Sequence, residues 1–212
     1  MLTTGKSNIM TTHKLFGSVL AVLLFSLSST VQAADAHSRT AHQHSDVACP
    51  VGLVSGLTLS EEFGPVVAAN TRCIKKRHHV RTMFPIDQFY APGSTTQPYA
   101  LHQMQNVIND YEITDGMVEG RDFKIIAVVH SKGGMLLLND GTINPFKAQV
   151  EHLMSEGVTF YFCENTVRGF IRAGLLQQGN VAAGVIPGVK FVTAGLSAIS
   201  DFEALGWSYD QP

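Results

Sequence analysis

Residues 124–129 read Lys-Ile-Ile-Ala-Val-Val, with apolar side chains at both odd and even positions. Successive side chains of a strand point to opposite faces, so this run needs cover on both sides. Strands of that kind belong to parallel sheets whose crossover connections lay helices over both faces. The flanking sequence supplies such helices. Leu101, Met104, Val107, Ile108 and Tyr111 fall on one helical stripe before the run. After it, Asn144-Pro145 gives a cap and a first-turn proline, Phe146, Val150, Leu153 and Met154 form an inner stripe, and Gly157 closes the helix.

The pattern then repeats. Val158-Thr159-Phe160-Tyr161-Phe162 is a short strand that ends on Cys163 and hands over to a helix that Asn165 or Thr166 can cap. Val80-Arg81-Thr82-Met83-Phe84 reads as the first strand, limited by Pro85. Gly188-Val189-Lys190-Phe191-Val192 reads as another, and Trp207-Ser208-Tyr209 as a final edge strand. Leu196, Ile199, Phe202 and Leu205 stripe the last helix. This order predicts an α/β three-layer sandwich: a mainly parallel sheet of about five strands with helices on both faces. Further upstream, Thr58-Leu59-Ser60-Glu61 has capping-box spacing, Gly64-Pro65 interrupts the helix it opens, and Val66, Val67 and Ala68 are its expected buried side.

Residues 1–33 have the form of an export signal. Lys6 and Lys14 make a basic start, residues 15–25 are apolar but short for a membrane span, and Val31-Gln32-Ala33 has small-x-small cleavage spacing. The expectation is a periplasmic protein with a signal peptide over 1–33, a flexible leader over 34–57 and one α/β domain over 58–212. Losing Lys6 and Lys14 turns the formal charge of −2 into −4. That sign argues against nucleic acid, and against a membrane surface once the signal is removed. The basic run at 75–79 reads as a solvated helix end.

Export governs how the three cysteines are read. Two of them can pair in an oxidising compartment, and three pairings are open. Cys49 and Cys73 are close in sequence and precede the regular α/β pattern, which makes theirs the expected bridge, worth about 3 kcal/mol by loop entropy. The leader carries His37, His42 and His44, imidazoles able to gather zinc or copper but without a spacing that fixes a geometry; a solvated leader is the plainer reading.

Cys163 stands where free N–H groups of a helix N-terminus favour thiolate, the reactive form of the thiol. A small, buried, inert cysteine fits the same local sequence. Ligand sites in parallel sheets lie beyond the carboxyl ends of the strands, which places His130 at the same edge as Cys163. An imidazole there can take the thiol proton or can simply close a turn. The 131–134 segment, Ser-Lys-Gly-Gly, could cradle an anion with its N–H groups, but it matches neither a P-loop nor a dinucleotide fingerprint, so no nucleotide cofactor is expected.

Three groups of residues together resemble the DsrE/DsrF-like (YchN-like) sulfur-relay family over residues 78–212. They are Lys124-Ile-Ile-Ala-Val-Val-His-Ser-Lys-Gly-Gly134, Leu153-Met-Ser-Glu-Gly-Val158 and Phe162-Cys-Glu-Asn-Thr166. Ile186-Pro-Gly-Val189, Ala194-Gly195-Leu196 and Leu205-Gly-Trp-Ser-Tyr209 extend the likeness. The resemblance implies a compact α/β fold assembled as a trimer or hexamer. It also implies a persulfide-carrying cysteine at the position of Cys163, and His130 matches a His-Gly strand end of exported members. Ser131 stands where that pattern has glycine. The function expected on this basis is sulfur carriage, with or without turnover as a sulfurtransferase, between donor and acceptor proteins or small thiols. The alternative is an oligomeric periplasmic protein binding a small ligand or metal, with an inert cysteine.

Overall fold

The computed structural model describes residues 53–71 and 79–211. The expected signal peptide, His37, His42, His44, Cys49 and Cys73 lie outside the described residues. Five strands are present: β1 (Val80–Ile86), β2 (Phe123–Val129), β3 (Thr159–Cys163), β4 (Lys190–Val192) and β5 (Ser208–Tyr209). They form one sheet in the order β4-β3-β2-β1-β5, and every pairing is parallel. Six α-helices accompany them among the described residues: α1 (Leu59–Phe63), α2 (Pro65–Asn70), α3 (Leu101–Asn109), α4 (Lys147–Ser155), α5 (Glu164–Arg172) and α6 (Gly195–Ala204).

The two parities of β2 divide between two cores. Phe123, Ile125, Ala127 and Val129 join Phe84, Ile86, Phe160 and Phe162 in the larger one, beneath α3, α4 and α5. Leu101, Met104 and Ile108 of α3, Val150 and Leu153 of α4 and Val167 of α5 cover this face. Ile126 and Val128 point the other way with Met83, onto Ala198 and Ile199 of α6. The chain is therefore an α/β three-layer sandwich with a parallel five-stranded sheet. No helix among the described residues is long and apolar enough to cross a membrane.

Four expectations need correction. Pro85 does not end β1, which runs on to Ile86. The Met83 carbonyl accepts the Asp210 N–H on the β5 side, while Ile86 accepts from His130 on the other. Pro85 shares the parity of Met83, and β5 pairs with only Thr82 and Met83. Its missing N–H therefore faces a place where, among the described residues, no partner strand runs, a position that tolerates proline. In α6 the outer members of the expected stripe, Leu196 and Leu205, are 71% and 65% exposed, and the helix meets the sheet through Ala198 and Ile199 with Phe202 beside them. The helix turns its Gly195, Ala198 and Ile199 side to the sheet, which leaves Leu196 and Leu205 outside. The capping box at Thr58 forms and Gly64-Pro65 separates α1 from α2, but neither helix buries a residue; Val66 and Val67 are exposed. Finally, of the expected strand over 188–192 only Lys190–Val192 pairs, because Gly188 turns with φ +92°.

Candidate functional site

The chain passes from β3 into α5 without a loop. Cys163 is both the last residue of the strand and the N-cap of the helix, with extended backbone at φ −67° and ψ 119°. This corrects the expectation that Asn165 or Thr166 caps α5; they are the second and third residues inside it. Strand alternation turns Phe160 and Phe162 into the larger core and Cys163 to the opposite face, the one carrying α6. In β4, Val192 pairs with Cys163, and the chain reaches the first residue of α6, Gly195, three positions later. The Gly195 N–H donates to Cys163 Sγ at 3.1 Å. One sulfur thus lies at the N-terminal ends of two helices, nine and ten residues long.

Cys163 is a free thiol and is buried. Burial alone pushes its pKa up. The N–H groups of Thr166, Gly195 and Asn165, with the Thr166 hydroxyl, outweigh that and bring it below the ordinary cysteine value. The Gly195 N–H donates from the start of α6, and the Thr166 and Asn165 N–H groups add hydrogen-bonding stabilisation from the first turn of α5. Backbone N–H groups favour thiolate here, the effect that lowers the pKa of cysteines at helix N-termini.

His130 follows β2 directly. Val129 pairs with Phe162, so the next residues, His130 and Cys163, are neighbours across the sheet. Gly195 packs between them: a Cβ on it would lie 3.1 Å from His130 Cβ and 3.3 Å from Cys163 Cβ. Only glycine lets the start of α6 sit this close to both strand ends. No hydrogen bond joins the imidazole to the thiol among the described residues; His130 Nδ1 is 3.0 Å from Ser131 Oγ. Placement of His130 beside Cys163 is as the strand order implies, but the thiolate rests on N–H groups rather than on the ring.

The 131–134 segment is not an open anion cradle. It opens a 3₁₀ turn (Ser131–Leu137) in which the Ser131 N–H is bonded to Thr166 Oγ1 at 2.9 Å and the Gly133 N–H to the Asp87 carbonyl at 3.0 Å. Its glycines serve packing. A Cβ on Gly133 would collide with the Ile86 carbonyl, and one on Gly134 would come within 2.7 Å of the Phe162 ring. Ser131 itself has φ +52°, the left-handed region that favours glycine.

An open pocket of about 740 Å³ lies over the sulfur. Its walls include His130, Ser131, Asn165, Phe170, Leu196 and Ser197, with Cys163 among the lining residues. His130 and Cys163 are the titratable side chains of that lining, and Phe170 and the exposed Leu196 make one wall apolar.

No protein-family model matches the chain. No curated protein matches it either. Among solved structures, it is similar to the protein of unknown function MTH1491 from Methanobacterium thermoautotrophicum. The two are 26% identical over 63% of this chain and 99% of that one, with a TM-score of 0.45.

The arrangement suits nucleophilic sulfur chemistry: a stabilised thiolate, space above it, and an imidazole alongside. No group of three or more His, Cys, Asp or Glu side chains able to hold a metal is present among the described residues. Gly195 and Thr166 are the contributors that sequence reasoning missed in these roles. Ala194-Gly195-Leu196 was visible as a block, and a glycine opening an apolar helix is a signal of close approach.

Proposed function

We propose that this protein is an exported sulfur carrier of the DsrE-like type, with Cys163 holding sulfur as a persulfide. One observation carries the reading: Cys163 Sγ sits at the N-termini of α5 and α6, with the Gly195 N–H at 3.1 Å, beneath an open pocket. Such a setting favours thiolate, the nucleophilic form of the thiol. The thiolate attacks the outer sulfur of a donor persulfide R–S–SH. The new bond is Cys163 S–S, the S–S bond of the donor breaks, and R–S⁻ leaves with that electron pair. An acceptor thiolate then attacks the outer sulfur of Cys163–S–SH and restores the Cys163 thiolate. No net oxidant or reductant is consumed. His130, on the pocket wall, takes the proton of the incoming acceptor thiol. The signal-like sequence at 1–33 supports export, and the resemblance supports a trimer or hexamer.

The test is mass spectrometry of the purified chain after polysulfide treatment. The expected result is a gain of one sulfur on the Cys163 peptide, removed by cyanide and absent from Cys163→Ser. A Cys163 that stays unmodified, and alkylates no faster than a cysteine in an unstructured peptide, would overturn the proposal.

A further inference from the structure

The carrier reading leaves unexplained why a serine adopts the strained backbone at 131 and why it is tied to a helix residue 35 positions away. A non-glycine residue in the left-handed region costs roughly 1–2 kcal/mol and persists where its surroundings hold it. Two bonds hold Ser131. Its Oγ lies 3.0 Å from His130 Nδ1, and its N–H donates to Thr166 Oγ1 at 2.9 Å.

Thr166 is the third residue of α5, the position from which a side chain reaches back toward the N-cap, and the N-cap is Cys163. Its methyl is fixed against Gly134, where an added Cβ would stand 2.9 Å from Thr166 Cγ2. With the methyl placed there and the oxygen accepting from Ser131, the hydroxyl proton is free to turn to the sulfur.

We propose that Thr166 is the positioning residue of this site: it accepts the Ser131 N–H, so fixing the turn that carries His130, and directs its own O–H onto Cys163 Sγ. One side chain then sets the two reactive groups together, the imidazole through Ser131 and the thiolate directly. The lowering influence of the Thr166 hydroxyl on the Cys163 thiol agrees with this geometry. A β-branched hydroxyl residue does this better than serine would, because the methyl contact with Gly134 selects the rotamer. The proposal rests on the reading of Cys163 as the reactive sulfur.

The test compares wild type, Thr166→Val and Thr166→Ser in the full chain. The rate of iodoacetamide alkylation at Cys163 is followed by peptide mass spectrometry across a pH series, and sulfur uptake from polysulfide is measured in parallel. Valine keeps the shape and loses the hydroxyl; serine keeps the hydroxyl and loses the methyl. Thr166→Val should alkylate about tenfold more slowly at pH 7, the lower end for loss of one hydrogen bond to a charged group, with its profile moved to higher pH. Thr166→Ser should stay within about twofold of wild type. A valine variant with an unmoved profile overturns the proposal. So does a serine variant slowed as much as valine, since keeping the hydroxyl would then make no difference to the thiol. Wild type that alkylates fast but takes up no sulfur overturns the carrier reading, while the alkylation profiles still decide the role of Thr166.

Discussion

Gly195→Ala isolates the contribution of α6 to the site. The added Cβ would stand 3.1 Å from His130 Cβ, 3.3 Å from Cys163 Cβ and 3.4 Å from His130 Cδ2. These contacts are tighter than side chains ordinarily make, and two of the opposing atoms are Cβ atoms held by the backbone at strand ends. They cannot swing aside, so the first turn of α6 must withdraw. That lengthens the 3.1 Å Gly195 N–H to Sγ contact. A hydrogen bond to a charged group is worth about 1.5–3 kcal/mol, and the lower figure corresponds to a roughly tenfold smaller thiolate fraction at neutral pH. Stability should change less. Crowding costs about 1–3 kcal/mol, while alanine gains up to about 1 kcal/mol over glycine in a helix. Thiol reactivity, not melting, is therefore the informative assay. Iodoacetamide alkylation of Cys163 at pH 7 should slow about tenfold in Gly195→Ala. Gly169→Ala is the matched control, because its added Cβ would meet only Arg172 Nη2 at 4.0 Å; it should react like wild type. Equal rates for wild type and Gly195→Ala in folded protein would show that this N–H does not sustain the thiolate.

Two further outcomes follow from the same geometry. Because the Cys163 pKa is depressed in the folded chain, its unfolded form binds the proton more readily, so stability relative to Cys163→Ser rises with pH. That increment is fully present above the unfolded thiol value, about 8.5, and is lost as pH falls through the folded value; urea unfolding at a series of pH values should show it, and a flat or falling difference would contradict it. Asn144 is fully buried; its Nδ2 donates to the Leu136 carbonyl at 2.6 Å and the Leu138 carbonyl at 3.1 Å, and its Oδ1 accepts the Phe146 N–H at 3.1 Å. Asn144→Ala should cost about 2–4 kcal/mol in denaturant unfolding, and a loss under 1 kcal/mol would show these bonds to be replaceable by water.

The sequence was most legible where a pattern is local. The two-parity apolar run at 124–129 announces a doubly covered strand, and the Leu101, Met104, Ile108 stripe announces the helix that covers it. The pairing of strand ends at His130 and Cys163 also follows from order alone, since sequential strands in such units lie side by side. What could not be read is what depends on contacts distant in sequence. Gly195 reaches Cys163 across 32 residues and Thr166 reaches Ser131 across 35. Pro85 looked like a strand end because nothing local shows that its nitrogen faces no partner. Leu196 and Leu205 looked like core because periodicity gives a stripe but not which edge of it turns to the sheet.

The Gly195 bond has a mechanical side as well. Cys163 begins α5 through its own backbone and holds the first residue of α6 through its sulfur. It is a clasp between two helices, and its grip depends on the charge of one atom. Loading, capping or protonating that atom loosens or tightens the clasp, so the chemical state of a single sulfur becomes legible in the amide-exchange rates of two helix starts more than thirty residues apart.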